Sequence, residues 1–331
     1  MSIALSRHRL SELLERAQGR RVAVVGDAML DVYLTGDVDR ISPEAPVPVV
    51  RVRERKHALG GAANVAQNVA AIGASCDLVA AIGSDLNGST LSKMLVAIGT
   101  NDGSLVRVAR TTTVKTRIVA RSQQLVRVDE EEDGELDATD VDQVVTAARA
   151  AIANADAVIL EDYNKGVLVS AVIRSAIDAG SARKLPIVVD PKFKNFFAYG
   201  GATIFKPNRR ELEAALGAAV DVDHPDALPA LPSRLGVESV LLTLGEAGMA
   251  LVCGDGAVTR VPTVAREIYD VVGAGDTVTA YLASMLAAGA TALESAIIAN
   301  LAAGIEVGKL GAATVTPAEL MEFAEEHGHV R

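Results

Sequence analysis

The chain has no tryptophan, two cysteines and five histidines in 331 residues, and aromatic residues make up only 3%. Each shortage excludes something. Cys76 and Cys253 are too few for a disulfide framework, and both lie in apolar runs, so they read as buried thiols of a reducing compartment. The histidines show no metal-ligand spacing. His327 and His329 form an H-x-H pair at the chain end, where a solvated tail is expected. With so few rings, the core must be aliphatic. Basic residues are also scarce: 32 Lys and Arg against 42 Asp and Glu give a net charge of −10. This is not the basic footprint of a nucleic-acid binder, so any phosphate site has to be local. No apolar run of signal-peptide type follows Arg7, His8 and Arg9. The longest charge-free apolar stretch, between Asp276 and Glu294, is broken by Thr, Ser and Gly and falls short of the ~20 residues of a membrane span. The expectation is a cytoplasmic protein that binds neither nucleic acid nor membrane.

Half of the residues are hydrophobic, and mean hydropathy is +0.27, enough for a sizeable core in one large α/β domain or two smaller ones. Residues 21–26 (RVAVVG) form a short apolar strand ending in Gly. Similar runs recur at 78–82, 157–160, 187–190, 203–205 and 240–244. Helical patterns occupy 8–18, 62–72, 86–97, 141–153, 171–179 and 211–216. Apolar strands alternating with helices predict a doubly wound, mainly parallel sheet with helices on both faces. Ligands of such sheets bind at the carboxyl ends of the strands. Asp27, Asp162, Asp190, Asn208 and Gly245 all stand just after predicted strands.

Two segments break the rhythm. Residues 33–58 carry Pro43, Pro46 and Pro48 and then Val47, Val49, Val50 and Val52 interleaved with Arg51, Arg53 and Arg55. Residues 104–129 read as charged, alternating β-structure. Both predict strands of a small separate sheet, exposed on one face and able to fold over the binding edge as a lid. The DEEED run at 129–133 reads as a solvated turn leaving it. Open lid edges argue for a homodimer in which paired lids cover each other's strands.

The segment Asp270-Val271-Val272-Gly273-Ala274-Gly275-Asp276-Thr277 carries the most chemistry. A glycine-rich turn enters an apolar helix, whose first N–H groups are unpaired and lie at the positive end of the helix dipole. Glycines let that backbone approach an anion. A carboxylate in the same turn adds a base beside a bound phosphate, which suits phosphoryl transfer to a hydroxyl. Helix capping is the plainer reading of Asp276. The P-loop form G-x-x-x-x-G-K-[ST], the G-x-G-x-x-G fingerprint and the G-x-S-x-G elbow are all absent, which argues against Walker ATPases, dinucleotide oxidoreductases and serine hydrolases.

Four elements in order resemble the ribokinase-like (PfkB) carbohydrate kinases: Gly60-Gly61-Ala62-Ala63-Asn64, Lys206-Pro207-Asn208-Arg209-Arg210-Glu211, Thr243-Leu244-Gly245-Glu246-Ala247-Gly248 and the 270–277 segment. Within the family, Gly26-Asp27-Ala28-Met29-Leu30-Asp31, Ile41-Ser42-Pro43-Glu44-Ala45-Pro46, Glu161-Asp162-Tyr163-Asn164-Lys165-Gly166 and Asp190-Pro191-Lys192 are most similar to the kinases of a heptose 7-phosphate. The resemblance implies a single ribokinase-like domain with a β lid. It also implies ATP-dependent phosphorylation of the anomeric hydroxyl of D-glycero-β-D-manno-heptose 7-phosphate, a step toward ADP-heptose and lipopolysaccharide core. No G-x-F-D-x-x-H-x-G-H element of a nucleotidyltransferase follows, so the monofunctional kinase is expected. Another sugar or nucleoside substrate, or a non-catalytic sensor on the same fold, is the alternative.

The resemblance also implies roles. Asp276 is the general base, with Gly273, Ala274 and Gly275 stabilising the transferred phosphoryl. Asp27, Asp31, Gly60, Gly61 and Asn64 hold the sugar. Lys192 and the lid arginines Arg121 and Arg127 take its phosphate, with Arg51, Arg53, Lys115, Arg117 and Lys165 as further cations. Asn208, Thr243, Gly245, Gly248 and Asn300 bind ATP. Glu211 and Asn208 organise Mg²⁺ through water, although Asn208 and Glu211 also have the spacing of a helix capping box. Asp270, with the loop 307–315, matches the family's monovalent-cation position. Val315 stands where a polar residue is frequent, which weighs against K⁺ activation.

Overall fold

Alternating apolar residues in the first strand decide how the body is layered. The computed structural model describes residues 5–121, 123–132, 134–224, 227–265, 269–309 and 311–330. Helix α1 (Arg7–Ala17) precedes β1 (Arg21–Gly26). The chain then leaves the body as β2 (Ala28–Ile41), returns as β3 (Pro48–Gly61) and continues into α2 (Ala62–Ile72), β4 (Ser75–Gly83), α3 (Leu86–Ala97) and β5 (Leu105–Val108). A second excursion is β6 (Val114–Ala120) and β7 (Gln123–Glu130). Next come α4 (Ala138–Ile152), β8 (Ala157–Glu161), α5 (Ser170–Ala182), β9 (Ile187–Asp190), β10 (Ile204–Phe205), α6 (Arg209–Leu216) and α7 (Leu231–Leu235). The chain ends with β11 (Ser239–Thr243), β12 (Met249–Cys253), β13 (Val258–Val261), α8 (Ala274–Ala287), α9 (Ala292–Glu306) and α10 (Pro317–Glu326).

The body is a nine-stranded sheet in the order β13-β12-β11-β10-β9-β8-β1-β4-β5. It is parallel except where β12 pairs antiparallel with β11 and β13. Val22 and Val24 of β1 face one core cluster with α2, α8 and α9, while Ala23 and Val25 face the other with α4 and α5. A central strand covered on both faces needs this unbroken apolar run. No helix among the described residues is long and apolar enough to cross a membrane.

The lid is a four-stranded sheet in the order β3-β2-β6-β7. Two features differ from the sequence expectation. Residues 105–108 do not belong to the lid: β5 pairs in parallel with β4 at the edge of the body, burying Val106 and Val108. And β2 starts at Ala28, ahead of the expected lid segment at 33–58, so Asp31 lies inside a 14-residue strand. The strands β12 and β13 and the helices α7 and α10 complete the body beyond the elements legible in the pattern. Of the DEEED run, Asp129 and Glu130 end β7, and Asp133 lies outside the described residues.

Candidate active site

Strands β1, β8 and β9 end level with one another: Gly26 pairs with Glu161, and Glu161 with Asp190. The carboxyl end of the sheet therefore presents two acidic side chains next to each other. The turn into α8 closes over them. Gly273 is its N-cap, with φ +99°, a backbone state that disfavours any side chain. A Cβ there would also meet Asn64, Glu306 and Ala312 at 3.1–3.3 Å. The helix ladder begins with the Thr277 N–H donating to the Gly273 carbonyl at 2.9 Å. The Ala274 N–H donates to the Val271 carbonyl at 3.5 Å, whereas the N–H groups of Gly275 and Asp276 are left to face a ligand.

Asp276 lies in this first turn and is 5% exposed. Asn64 Nδ2 donates to its Oδ2 at 2.7 Å, and the Tyr163 hydroxyl donates to its Oδ1 at 2.7 Å. Burial pushes its carboxyl up to about 6, with the charge of Asp190 adding to the rise and the two hydrogen bonds opposing it. Carboxyl oxygens of Glu161, Asp190 and Asp276 lie within 4.8 Å of one another. Lys206 Nζ bonds Asp190 Oδ2 at 2.8 Å, a buried pair that supplies counter-charge. Burial alone would raise Asp190. The charges of Lys206 and Lys192 outweigh it, and the Asp190 carboxyl sits below its ordinary value.

Two cavities meet at this turn. One, of about 210 Å³, is lined by Asp31, Gly60, Gly61, Asn64, Gly273 and Asp276, with Tyr163 beside them and Lys115, Arg117 and Arg127 reaching in from the lid. The other, of about 300 Å³, has Ala274 and Gly275 on its wall with Asn208, Thr243, Gly245, Gly248 and Asn300, and an apolar lining that includes Val271, Val278 and Val307. The first turn of α8 is the partition. An arrangement with a carboxylate on one side and open N–H groups on the other can pass a phosphoryl group between ligands in the two cavities.

The structure does not bring every expected residue to these cavities. Asp27 is buried and accepts three backbone N–H bonds, from Tyr163, Lys165 and Val167 at 2.8, 2.9 and 3.1 Å. It clamps the loop after β8. Lys192 pairs with Glu211 at 2.5 Å and lies over the Tyr163 ring, outside the lining of the smaller cavity. Arg121 is exposed at the β6–β7 turn, with φ +49°. Asp31 is in the cavity, paired with Arg117 at 2.6 Å. Lys115 pairs with Asp129 and Glu131. Arg127 also pairs with Asp129. Asn208 caps α6 in a capping box with Glu211, so the capping geometry is present. Glu211 Oε2 accepts the Asn208 N–H and Oε1 accepts Lys192, which leaves further lone pairs for a bound water. Asn300 Nδ2 bonds the Pro262 carbonyl at 2.8 Å from the wall of the larger cavity.

Behind the turn, Asp270 accepts the N–H groups of Val272 and Gly311, tying two loops together. Of the loop 307–315, Leu310 lies outside the described residues. Glu306 is buried, with neither carboxyl oxygen partnered among the described residues, and burial together with Asp276 and Asp270 raises it to about 8. Reading by sequence did not single out Tyr163, Glu161, Lys206 or Glu306 as site residues. The signal available was charge inside apolar runs, as in Ile159-Leu160-Glu161 and Gly304-Ile305-Glu306.

A nine-stranded ribokinase-like body, a β lid and a helix-capping anion turn beside a buried aspartate together define a sugar-kinase architecture. The family model for pfkB carbohydrate kinases matches residues 20–319, and the chain belongs to that family. Among individual proteins, it is 45% identical over 315 residues to the bifunctional protein HldE of Rhodospirillum rubrum, covering 94% of this chain and 64% of that one. It is 47% identical over 320 residues to the HldE of Azorhizobium caulinodans, with 95% and 66% covered. The chain thus spans just under two thirds of the length of these relatives. In fold it is similar to phosphofructokinase-2 of Escherichia coli in complex with potassium, with TM-score 0.76, 19% identity, and 94% and 100% of the two chains covered. It is also similar to Arabidopsis thaliana ribokinase complexed with ribose and ATP, with TM-score 0.72, 20% identity, and 92% and 98% covered.

Proposed function

We propose that this chain transfers the γ-phosphoryl of ATP to the anomeric hydroxyl of a heptose 7-phosphate, giving the 1,7-bisphosphate used for ADP-heptose. The observation that carries the reading is a single cavity lined both by the buried Asp276 and by three lid cations, Lys115, Arg117 and Arg127. A hydroxyl needs the first and a distant phosphate needs the second. The identity to the HldE proteins supports the same substrate class.

Asp276 takes the hydroxyl proton as the sugar oxygen attacks the γ-phosphorus. Tyr163 and Asn64 hold its two oxygens in place through the hydrogen bonds described above. The N–H groups of the Gly273–Gly275 turn meet the charge that builds on the transferred phosphoryl. Asp31 and the backbone at Gly60 and Gly61 face the sugar. Thr243, Gly245, Gly248 and Asn300 flank the nucleotide. Bound Mg²⁺ supplies charge neutralisation on the phosphates, and Asn208 and Glu211 would hold it through water.

ATP consumption measured across heptose 7-phosphate, fructose 6-phosphate, ribose and a nucleoside tests this reading. Turnover is expected to be largest by far with the heptose phosphate. Equal or greater turnover on an unphosphorylated sugar sinks it.

A monovalent cation behind the turn belongs to the proposal. Asp270 and the unpartnered Glu306 put two carboxylates in that region, while Val315 is buried and offers only a carbonyl, already bonded by Tyr281. Titration with K⁺ against tetramethylammonium is expected to raise activity only with K⁺. A flat response to both rejects the cation.

The lid leaves Val52 exposed on one edge strand, β3, and Leu125, Val126 and Val128 on the other, β7, and we assign these edges to a homodimer contact. Light scattering at assay concentration is expected to give a dimer. A monomer refutes the assignment.

A further inference from the structure

Beneath Asp276, one group has no role in the chemistry so far. Glu161 is fully buried at the end of β8, and neither of its carboxyl oxygens has a hydrogen-bond partner among the described residues. A buried ionised carboxylate without a donor is among the costliest arrangements a fold can hold. Its surroundings make ionisation harder still. From β9 it faces Asp190, and from α8 it faces Asp276, with oxygens of all three within 4.8 Å. The cations in reach are Lys206, already bonded to Asp190, and Lys192, already bonded to Glu211. From β1 the neighbour is Gly26, and the Asp27 carboxylate beyond it is turned to the loop after β8. Tyr163 has given its hydroxyl hydrogen to Asp276. Of the two carboxylates in reach, each Asp276 oxygen already accepts a hydrogen bond, whereas Asp190 stands beside Glu161 in the register of β8 and β9, and a carboxyl group can bond a carboxylate only by donating a proton to it.

We propose that Glu161 is a neutral carboxylic acid whose hydroxyl donates to Asp190, and that it is a positioning residue fixing the Asp190–Lys206 pair under the base. The inference rests on the reading of Asp276 as that base. Burial first, then the charges of Asp190 and Asp276, also raise the Glu161 carboxyl well above its ordinary value. A third negative charge beside Asp276 would raise its carboxyl further and leave less of the base ionised at neutral pH. A neutral Glu161 avoids this while still ordering Asp190.

Two variants and a spectrum test the assignment. In infrared difference spectra at neutral pH, wild type minus Glu161→Gln is expected to contain the carbonyl stretch of a protonated carboxylic acid. This readout is independent of turnover, so it stands even if the kinase reading fails. In kinetics, Glu161→Gln keeps a neutral donor, so kcat should stay within about threefold, less than one hydrogen bond contributes. The acid limb of kcat/KM and the Mg²⁺ requirement should not move. Glu161→Leu lacks the donor and should lower kcat by about tenfold at unchanged KM, the scale of one lost bond to a charged group. The assignment is overturned if the protonated-acid band is missing. It is also overturned if Glu161→Gln moves the acid limb to lower pH, which marks a charged Glu161, or raises the Mg²⁺ requirement, which marks a metal ligand.

Discussion

Replacing Asp276 by Asn is expected to leave the fold intact and lower kcat by about a thousandfold, the middle of the range for a lost general base. The asparagine is nearly isosteric and can accept one hydrogen bond in place of two, so the turn and the helix start survive. What disappears is the site that receives the proton. The measurement is steady-state kinetics beside a thermal melt. A variant that melts like wild type and turns over like wild type removes Asp276 from the chemistry. The same residue sets a pH dependence. A base works only when ionised, and burial raises this carboxyl to about 6. Activity should therefore be full above that value and fall about tenfold per pH unit below it. An acid limb near 4, the range of a solvated aspartate, would mean that the base is elsewhere.

The second large effect concerns the lid cations that line the cavity. Lys115→Met and Arg117→Gln are each expected to raise KM for the sugar phosphate by about ten- to a hundredfold, the scale of a lost charge-assisted hydrogen bond. KM for ATP should change little. The two positions differ in a useful way. Lys115 is held by Asp129 and Glu131, which remain partly solvated and can spare it. Arg117 is the partner of nearly buried Asp31 and also covers the Tyr33 ring. Removing Arg117 strands a carboxylate facing the sugar, so that variant should lose affinity and some stability, whereas Lys115→Met should lose affinity alone. Proportional increases in both Michaelis constants for Lys115→Met would exclude it from the phosphate site.

The sequence carried the layered body well because a parallel strand buried on both faces has to be an apolar run, as in Val22 to Val25. The helices at 62–72 and 86–97 coincide with α2 and α3. The turn at 273–276 is legible because Gly273 is demanded by its left-handed backbone and by the close approach of its neighbours. What the pattern could not carry is proximity across strands. Glu161 and Asp190 become neighbours only through the parallel register of β8 and β9. Tyr163 reads as one more loop residue until its hydroxyl is found on Asp276. Lid cations alternate along their strands whether they face ligand or solvent, so Arg121 and Lys115 look alike in the sequence. The pleat and the turn at the strand end separate them. The edge strand at 105–108 reads as part of the lid because alternation reveals one covered face without naming the sheet that covers it.

The lid's long strands leave and re-enter the body at one place, where Ala28 pairs with Gly61. Asp31, Lys115 and Arg117 ride on that blade, whereas Asp276 is anchored in the body. On the proposed reading, a tilt of the blade would change the gap between cations and base, and the lid would act as a ruler for substrate length. A sugar with its phosphate at the matching distance can brace both ends. A shorter sugar leaves the blade without a purchase.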